Sequence, residues 1–93
     1  MLEKDIEKYF NQQIKQAGGL SRKYTSPGRR GVPDRIAVMN GHVYFVELKR
    51  PGAKPRPDQL AEHRALEKNG VKVHVLDTKQ AVDKWIGRFK NEM

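Results

Sequence analysis

The chain has 93 residues, of which 37% are hydrophobic and 32% charged, so we expect one globular domain over residues 1–93 and no second hydrophobic core. The formal net charge of +8 favours a polyanionic partner, and the absence of cysteine excludes disulfides, thiolate zinc sites and cysteine nucleophiles. No apolar run approaches the roughly 20 residues of a membrane span, and the acidic N-terminal segment is unlike a secretory signal. We therefore expect no membrane partner and a cytoplasmic location.

The first element in chain order is an amphipathic helix. Apolar side chains recur every three or four positions over residues 2–17, and two consecutive glycines follow. Glu3 and Glu7 lie one turn apart beside the apolar stripe, where either carboxylate could reach the edge of a sheet. Periodicity alone favours the simpler interpretation that both are solvated on the outer face of the helix.

A short strand over residues 20–25 and a glycine-rich loop over residues 26–31 come next. The loop lacks the Gly-Lys-Ser/Thr sequence of a nucleotide-binding P-loop. It does hold Arg29 and Arg30 between glycines, where the backbone can approach a phosphate closely and arginine can bind it with two hydrogen bonds. This pattern indicates contact with a nucleic-acid backbone.

Residues 33–39 and 42–49 form a predicted hairpin around Asn40-Gly41, because both positions of a two-residue hairpin turn need positive φ. In that register Asp34 lies opposite Glu47, and the period of two places Lys49 on the same face as Glu47. Both faces of the hairpin are largely apolar, which predicts helices on both sides.

Two opposed carboxylates destabilise a sheet unless a cation lies between them. Oxygen ligands of this kind suit Mg²⁺, and a neighbouring ammonium such as Lys49 can hold a phosphate or a water. The simpler alternative is an ion pair at a strand end. However, Asp34 and Glu47 are the only acids among nine Lys and Arg in residues 21–57, a segment that carries +7 of the net charge. This isolation favours a metal site facing a polyanion.

The same basic segment predicts a DNA-binding surface, since clustered positive charge is typical of proteins that bind the phosphate backbone. An alternative is a solvated basic face without a partner. The residues predicted to contact DNA are Arg22, Lys23, Arg29, Arg30, Arg50, Lys54 and Arg56.

A proline-containing loop over residues 51–57 leads to a helix that begins at Arg56 or Asp58 and ends near Asn69. Gln59 and His63 lie one turn apart on one face of this helix. A strand over residues 71–76 follows, and strand, helix and strand form a crossover expected to be parallel and right-handed.

The final helix begins after Asp77 or Thr78, and its apolar residues repeat at helical spacing around Trp85, which we expect in the core. The three histidines have no spacing typical of a zinc site. The element order is therefore αβββαβα, which predicts an α/β fold with a mixed sheet flanked by helices.

Several of these residues resemble the PD-(D/E)xK nuclease superfamily. The similarity rests on Pro33-Asp34, on Glu47-Leu48-Lys49, on an acid in the first helix and on Gln59 in the second. Within that superfamily, residues 31–34, residues 46–50 and Gln59 resemble a standalone, phage-type VRR-NUC domain. The resemblance extends from Glu3 to Trp85 and implies a restriction-endonuclease-like core.

The resemblance implies a DNA endonuclease that depends on Mg²⁺ or Mn²⁺. Asp34 and Glu47 would ligate the metal together with the backbone carbonyl of Leu48. Glu3 would be the first-helix acid, acting directly or through water, with Glu7 as the alternative. Lys49 would orient or activate the attacking water and stabilise charge on the phosphate, and Gln59 would support the site.

The family resemblance further implies a homodimeric four-way (Holliday) junction resolvase that acts on branched DNA in a bacterial or phage-infected cell. The expected dimer interface lies near Tyr9, or near Trp85 and Phe89, unless these side chains belong to the core. A flap, single-strand or nicking nuclease of the same fold is the alternative. Two further classes stay open: a non-catalytic basic module that binds nucleic acid, and an interaction protein of another kind, which the basic segment disfavours.

Overall fold

A computed structural model describes residues 1–90 and gives seven elements in the order αβββαβα. They are α1 (Glu3–Gln16), β1 (Leu20–Lys23), β2 (Arg35–Met39), β3 (His42–Leu48), α2 (Pro57–Lys68), β4 (Val73–Leu76) and α3 (Lys79–Lys90). The predicted α/β class and element order are confirmed.

The four strands form one mixed sheet in the order β1-β2-β3-β4. The β1/β2 and β2/β3 pairs are antiparallel, whereas β3 and β4 pair in parallel across the α2 crossover. Asn40 and Gly41 have φ of 52° and 79°, as the predicted two-residue turn requires. Met39 therefore pairs with His42 and the predicted hairpin register is confirmed.

One face of the sheet is covered by α1 and α3, and the hydrophobic core lies between these two helices and the sheet. The centre of this core is aromatic: the Trp85 ring centroid lies 5.9 Å from that of Phe10 and 5.6 Å from that of Tyr44. The other members of the core are Ile6, Ile14, Ala37, Met39, Val46, Leu48, Leu76, Val82, Ile86 and Phe89.

The expected dimer interface on a terminal helix is wrong for Trp85 and Phe89, because their side chains are only 4% and 3% exposed. Both rings fill the space between α3 and the sheet. Tyr9 is half-buried, and its hydroxyl donates a hydrogen bond of 2.6 Å to Asp83 Oδ1. These side chains of α1 and α3 therefore make their contacts within the same chain.

The opposite face of the sheet is covered only at one end, by α2. The expectation that helices cover both faces is therefore wrong in part. Leu20 and Val43 remain 50% and 58% exposed at the far end, because the single 12-residue helix does not extend over it. The covered end is closely packed: a Cβ added to Gly31 would lie 2.5 Å from the Asp58 carbonyl oxygen.

The element ends differ slightly from those predicted. The first strand ends at Lys23, although one further hydrogen bond of 2.9 Å, from Tyr24 N to Asp34 O, extends its pairing with the next segment. Thr78 caps α3, since its Oγ1 accepts a hydrogen bond of 2.9 Å from Ala81 N. Over residues 1–90, none of the helices combines the length and the apolar character that crossing a membrane requires.

Candidate active site

Asp34 and Glu47 meet at the end of the hairpin. The β2/β3 pairing runs as far as Arg35 and Val46, so Asp34 and Glu47 are the next opposed positions. Asp34 Oδ2 accepts a hydrogen bond of 3.0 Å from Leu48 N, which ties its carboxylate to the neighbouring strand. Glu47 is fully buried on the face that α2 covers. The predicted convergence of the two acids is thus present in the structure.

Gln59 and Lys49 hold one oxygen of the Glu47 carboxylate. Gln59 Nε2 donates a hydrogen bond of 2.8 Å to Glu47 Oε2, and Lys49 Nζ lies 3.4 Å from the same oxygen. Gln59 and Lys49 are themselves only 3% and 7% exposed. Gln59 also accepts a hydrogen bond of 2.8 Å from Arg56 N through its Oε1, so the amide links the start of α2 to the carboxylate.

The other Glu47 oxygen, Oε1, is buried without a hydrogen-bond partner. His63 Nε2 lies 3.9 Å from this oxygen and is also buried and unpartnered. Burial lowers the pKa of His63 and so favours its neutral form. An unsatisfied buried carboxylate oxygen is costly, which indicates that the site is built to receive a further donor or cation.

Burial, followed by the nearby Asp34 carboxylate, raises the pKa of Glu47 to about 8, although Lys49 opposes the shift. Two adjacent carboxylates can both ionise at neutral pH when a divalent cation neutralises them. Residues 1–90 hold no group of three or more His, Cys, Asp or Glu side chains placed to share an ion. Mg²⁺ typically takes one or two carboxylates with water and phosphate oxygens, so Asp34 and Glu47 fit such a cation.

Glu3 and Glu7, the two candidate acids of the first helix, lie beside the site. An open cavity of about 450 Å³ is lined by Glu3, Glu7, Asp34 and Leu48, whereas Glu47 does not line it. The two acids differ in their partners: Glu7 Oε2 lies 3.6 Å from Arg35 NH1, while Glu3 makes no ion pair within residues 1–90. Glu3 is therefore the freer of the two carboxylates.

All seven residues predicted to contact DNA are exposed. Lys23 and Arg29 also line the cavity that Asp34 lines, so part of the basic surface lies beside the paired acids. Arg29 has a partner within the chain: its Nε and NH2 each lie 2.7 Å from Glu62 Oε1.

Sequence reasoning missed three features of the site, namely the Arg29–Glu62 pair, the contact of His63 with Glu47, and Tyr24 in the cavity wall. A signal for the first two was available. Gln59, Glu62 and His63 follow the i, i+3, i+4 spacing of one helical face, and all three are buried. A polar stripe on a helix that packs against a sheet indicates a polar site between them.

Comparison with known proteins places the chain among nucleases. No family model matches it. Over 77 residues it is 51% identical to a protein of Acyrthosiphon pisum secondary endosymbiont phage 1 named "Putative nuclease p44", which covers 82% of this chain and 83% of that protein. A solved structure described as a VRR_NUC domain aligns with a TM-score of 0.84 at 37% identity, covering 94% of this chain and 96% of the other. The chain belongs to the VRR-NUC family of nucleases.

Proposed function

We propose that this nuclease is a divalent-metal-dependent endonuclease that hydrolyses phosphodiester bonds in structured DNA, and that it works as a homodimer on four-way junctions. The observation that carries the proposal is the convergence of Asp34 and Glu47, with Lys49 and Gln59 around them, beside an exposed basic surface.

Mg²⁺ or Mn²⁺ would be held by Asp34, Glu47 and the backbone carbonyl of Leu48, with Glu3 contributing directly or through water. The unpartnered Glu47 Oε1 supports this assignment, because a cation would satisfy it. Once bound, such a cation lowers the pKa of water and neutralises charge on the phosphate. Glu7 is the alternative first-helix acid, although its carboxylate already pairs with Arg35.

We assign to Lys49 the role of orienting the attacking water. Lys49 is 7% exposed and its ammonium lies beside Glu47, so it is held in one place as a compact positive charge. From there it orients the water and stabilises negative charge that develops on the phosphate. Gln59 positions Glu47, because its hydrogen bond occupies Oε2 and leaves Oε1 facing away from the amide.

The exposed Lys and Arg side chains would bind the phosphate backbone on either side of the cut. Arg30, Arg50 and Lys54 are exposed and belong to the two loops that flank the paired acids. Contacts of this kind position DNA without reading its sequence, so affinity should fall steeply with salt.

Each chain supplies one such site, whereas resolution of a junction requires two opposed nicks. A twofold dimer provides two sites with the symmetry of the junction. The proposal is therefore a homodimer rather than a monomer with two sites.

Cleavage of a substrate panel tests the proposal. The panel contains a four-way junction, a flap, a single strand and a linear duplex of shared sequence, each with Mg²⁺, with Mn²⁺ or with EDTA. We expect paired nicks in the junction with either metal and none with EDTA. Cleavage confined to the flap or single strand would replace the junction assignment. Salt-dependent binding to every substrate without cleavage would indicate a non-catalytic module.

A further inference from the structure

The cavity beside Asp34 has walls that the metal site does not use. Tyr24, Thr25 and Ser26 form part of its lining, along with Lys4 and Val32. Its volume of about 450 Å³ lies in the range of sites that hold small molecules. A single nucleotide can enter a space of this size.

Tyr24 is fixed with respect to Asp34. Its backbone N–H donates a hydrogen bond of 2.9 Å to the Asp34 carbonyl oxygen. Its ring centroid lies 5.5 Å from that of Phe45, and the side chain is half-buried. The aromatic ring is therefore held beside the proposed catalytic carboxylate at little further cost in side-chain entropy.

The charge of the cavity favours a neutral group over a second phosphate. Its three acids, Glu3, Glu7 and Asp34, are matched by three bases, Lys4, Lys23 and Arg29. The Thr25 and Ser26 hydroxyls can donate or accept hydrogen bonds, as a nucleobase edge or a sugar requires. Aromatic side chains bind bases of any sequence through their faces.

We infer that the Tyr24 ring receives an unpaired nucleobase next to the scissile phosphate, and that cleavage therefore favours a nucleotide released from its duplex. This inference rests on the proposed function and specifies its substrate. Enzymes that act on extruded bases select positions where unpairing costs least, and branch points provide such positions.

The test uses two linear duplexes that differ only in one mismatched pair. With Mg²⁺ and the wild-type protein, we expect kcat/KM at the phosphate beside the mismatch to exceed that in the matched duplex by about tenfold. Equal rates would overturn the inference while leaving the nuclease proposal intact. Failure to cut any substrate would count against the nuclease proposal instead.

Binding tests the inference independently of cleavage. With 2-aminopurine at the mismatched position, the wild-type protein should quench its fluorescence by stacking, even in EDTA. Tyr24→Phe should retain the quenching, whereas Tyr24→Leu should lose it together with the tenfold preference. Unchanged quenching in Tyr24→Leu would overturn the inference.

Two further variants separate stacking from general destabilisation. Ser26→Leu extends an aliphatic side chain into the cavity from its loop and offers no aromatic face to a base, so it should also remove the preference and the quenching if Tyr24→Leu fails to fold. Tyr9→Leu is the matched control, because Tyr9 is half-buried outside this cavity. That variant should keep both properties, and their loss there would overturn the assignment to Tyr24.

Discussion

Glu47 is the most constrained side chain of the site: it is fully buried, one oxygen is held by Gln59 and Lys49, and the other is unpartnered. Asp34 is its partner across the hairpin. We expect Glu47→Gln and Asp34→Asn each to reduce cleavage by on the order of 10³-fold or more, because each would remove a charged ligand of the proposed metal while preserving side-chain shape.

Rates with saturating Mg²⁺ and DNA affinity measured in EDTA check this prediction together. Affinity should stay the same for Glu47→Gln, because without metal the buried Glu47 keeps its proton up to about pH 8, and should stay the same or increase for Asp34→Asn, which removes an acid from beside a basic surface. Glu67→Gln is the matched control, an exposed acid of α2. Near wild-type cleavage by either site variant would contradict the assignment.

The raised pKa of Glu47 makes the stability of the metal-free protein depend on pH. Between its ordinary value of 4.5 and about 8, the folded chain keeps a proton that the unfolded chain releases. The free energy of unfolding should therefore fall as pH rises through this window, by an amount on the order of a few kcal/mol in total.

Denaturant unfolding in EDTA from pH 7 to 8 measures this effect above the ordinary pKa of histidine. There His63 and His74 are mostly neutral in the unfolded chain, as they are in the folded chain, where burial lowers their pKa values. Glu47→Gln should flatten the slope, and Mg²⁺ should restore stability to the wild-type protein at pH 8. An identical slope in wild type and variant would show that Glu47 does not carry the effect.

At the scale of elements, the loop before β2 is attached to α2 at two points. Gly31, with φ of 85°, approaches the Asp58 backbone too closely for any side chain, and Arg29 pairs with the buried carboxylate of Glu62. Because this loop leads directly to Asp34, its attachment to α2 helps to position that residue. Arg29 therefore has a structural role in addition to its predicted contact with DNA.

Single substitutions should separate Arg29 from Arg30. Arg30→Ala should weaken DNA binding and reduce the slope of log affinity against log salt by about one, as expected for one lost phosphate contact. Arg29→Ala should in addition lower the free energy of unfolding by roughly 1–2 kcal/mol, because Glu62 is left buried without its partner. Chemical denaturation and salt titrations provide the two measurements, with Arg29→Lys as the charge-preserving control. Equal stability of the two alanine variants would contradict the structural role.

The hairpin could be predicted from sequence because its determinants are local. Asn40-Gly41 specifies the turn, and the period of two then places Asp34 opposite Glu47. The burial of the site residues could not be predicted from such local signals. The burial of Glu47 and the pairing of Arg29 with Glu62 depend on how α2 packs, which joins residues 33 positions apart. How much of the sheet is covered likewise depends on the length and position of α2, and not on the alternation of apolar side chains within a strand.

At the scale of the whole molecule, the exposed end of the sheet is an apolar surface that remains once α1, α2 and α3 have packed. Leu20 and Val43 lie there with the half-buried Ile36 and Val38. Arg22 is the charged side chain beside them, whereas Glu47 lies on the same face at the end that α2 covers. Two copies that each carry +8 can meet with least repulsion where charge is sparse. We therefore expect the dimer interface at this end of the sheet rather than on the terminal helices.

Val43→Asp should therefore convert the proposed homodimer to a monomer, since it would place two carboxylates in an apolar interface. Light scattering at micromolar concentration should give about twice the chain mass for wild type and the single mass for this variant, and wild-type dimerisation should strengthen with salt. Leu60→Asp, an exposed apolar position on α2, is the matched control and should remain dimeric.

On a cruciform plasmid the dimer should make paired nicks within one binding event and yield linear DNA, whereas the monomer should only nick. A monomeric wild-type protein that nicks the cruciform at unrelated times would contradict the dimer and direct the assignment toward a flap or single-strand nuclease.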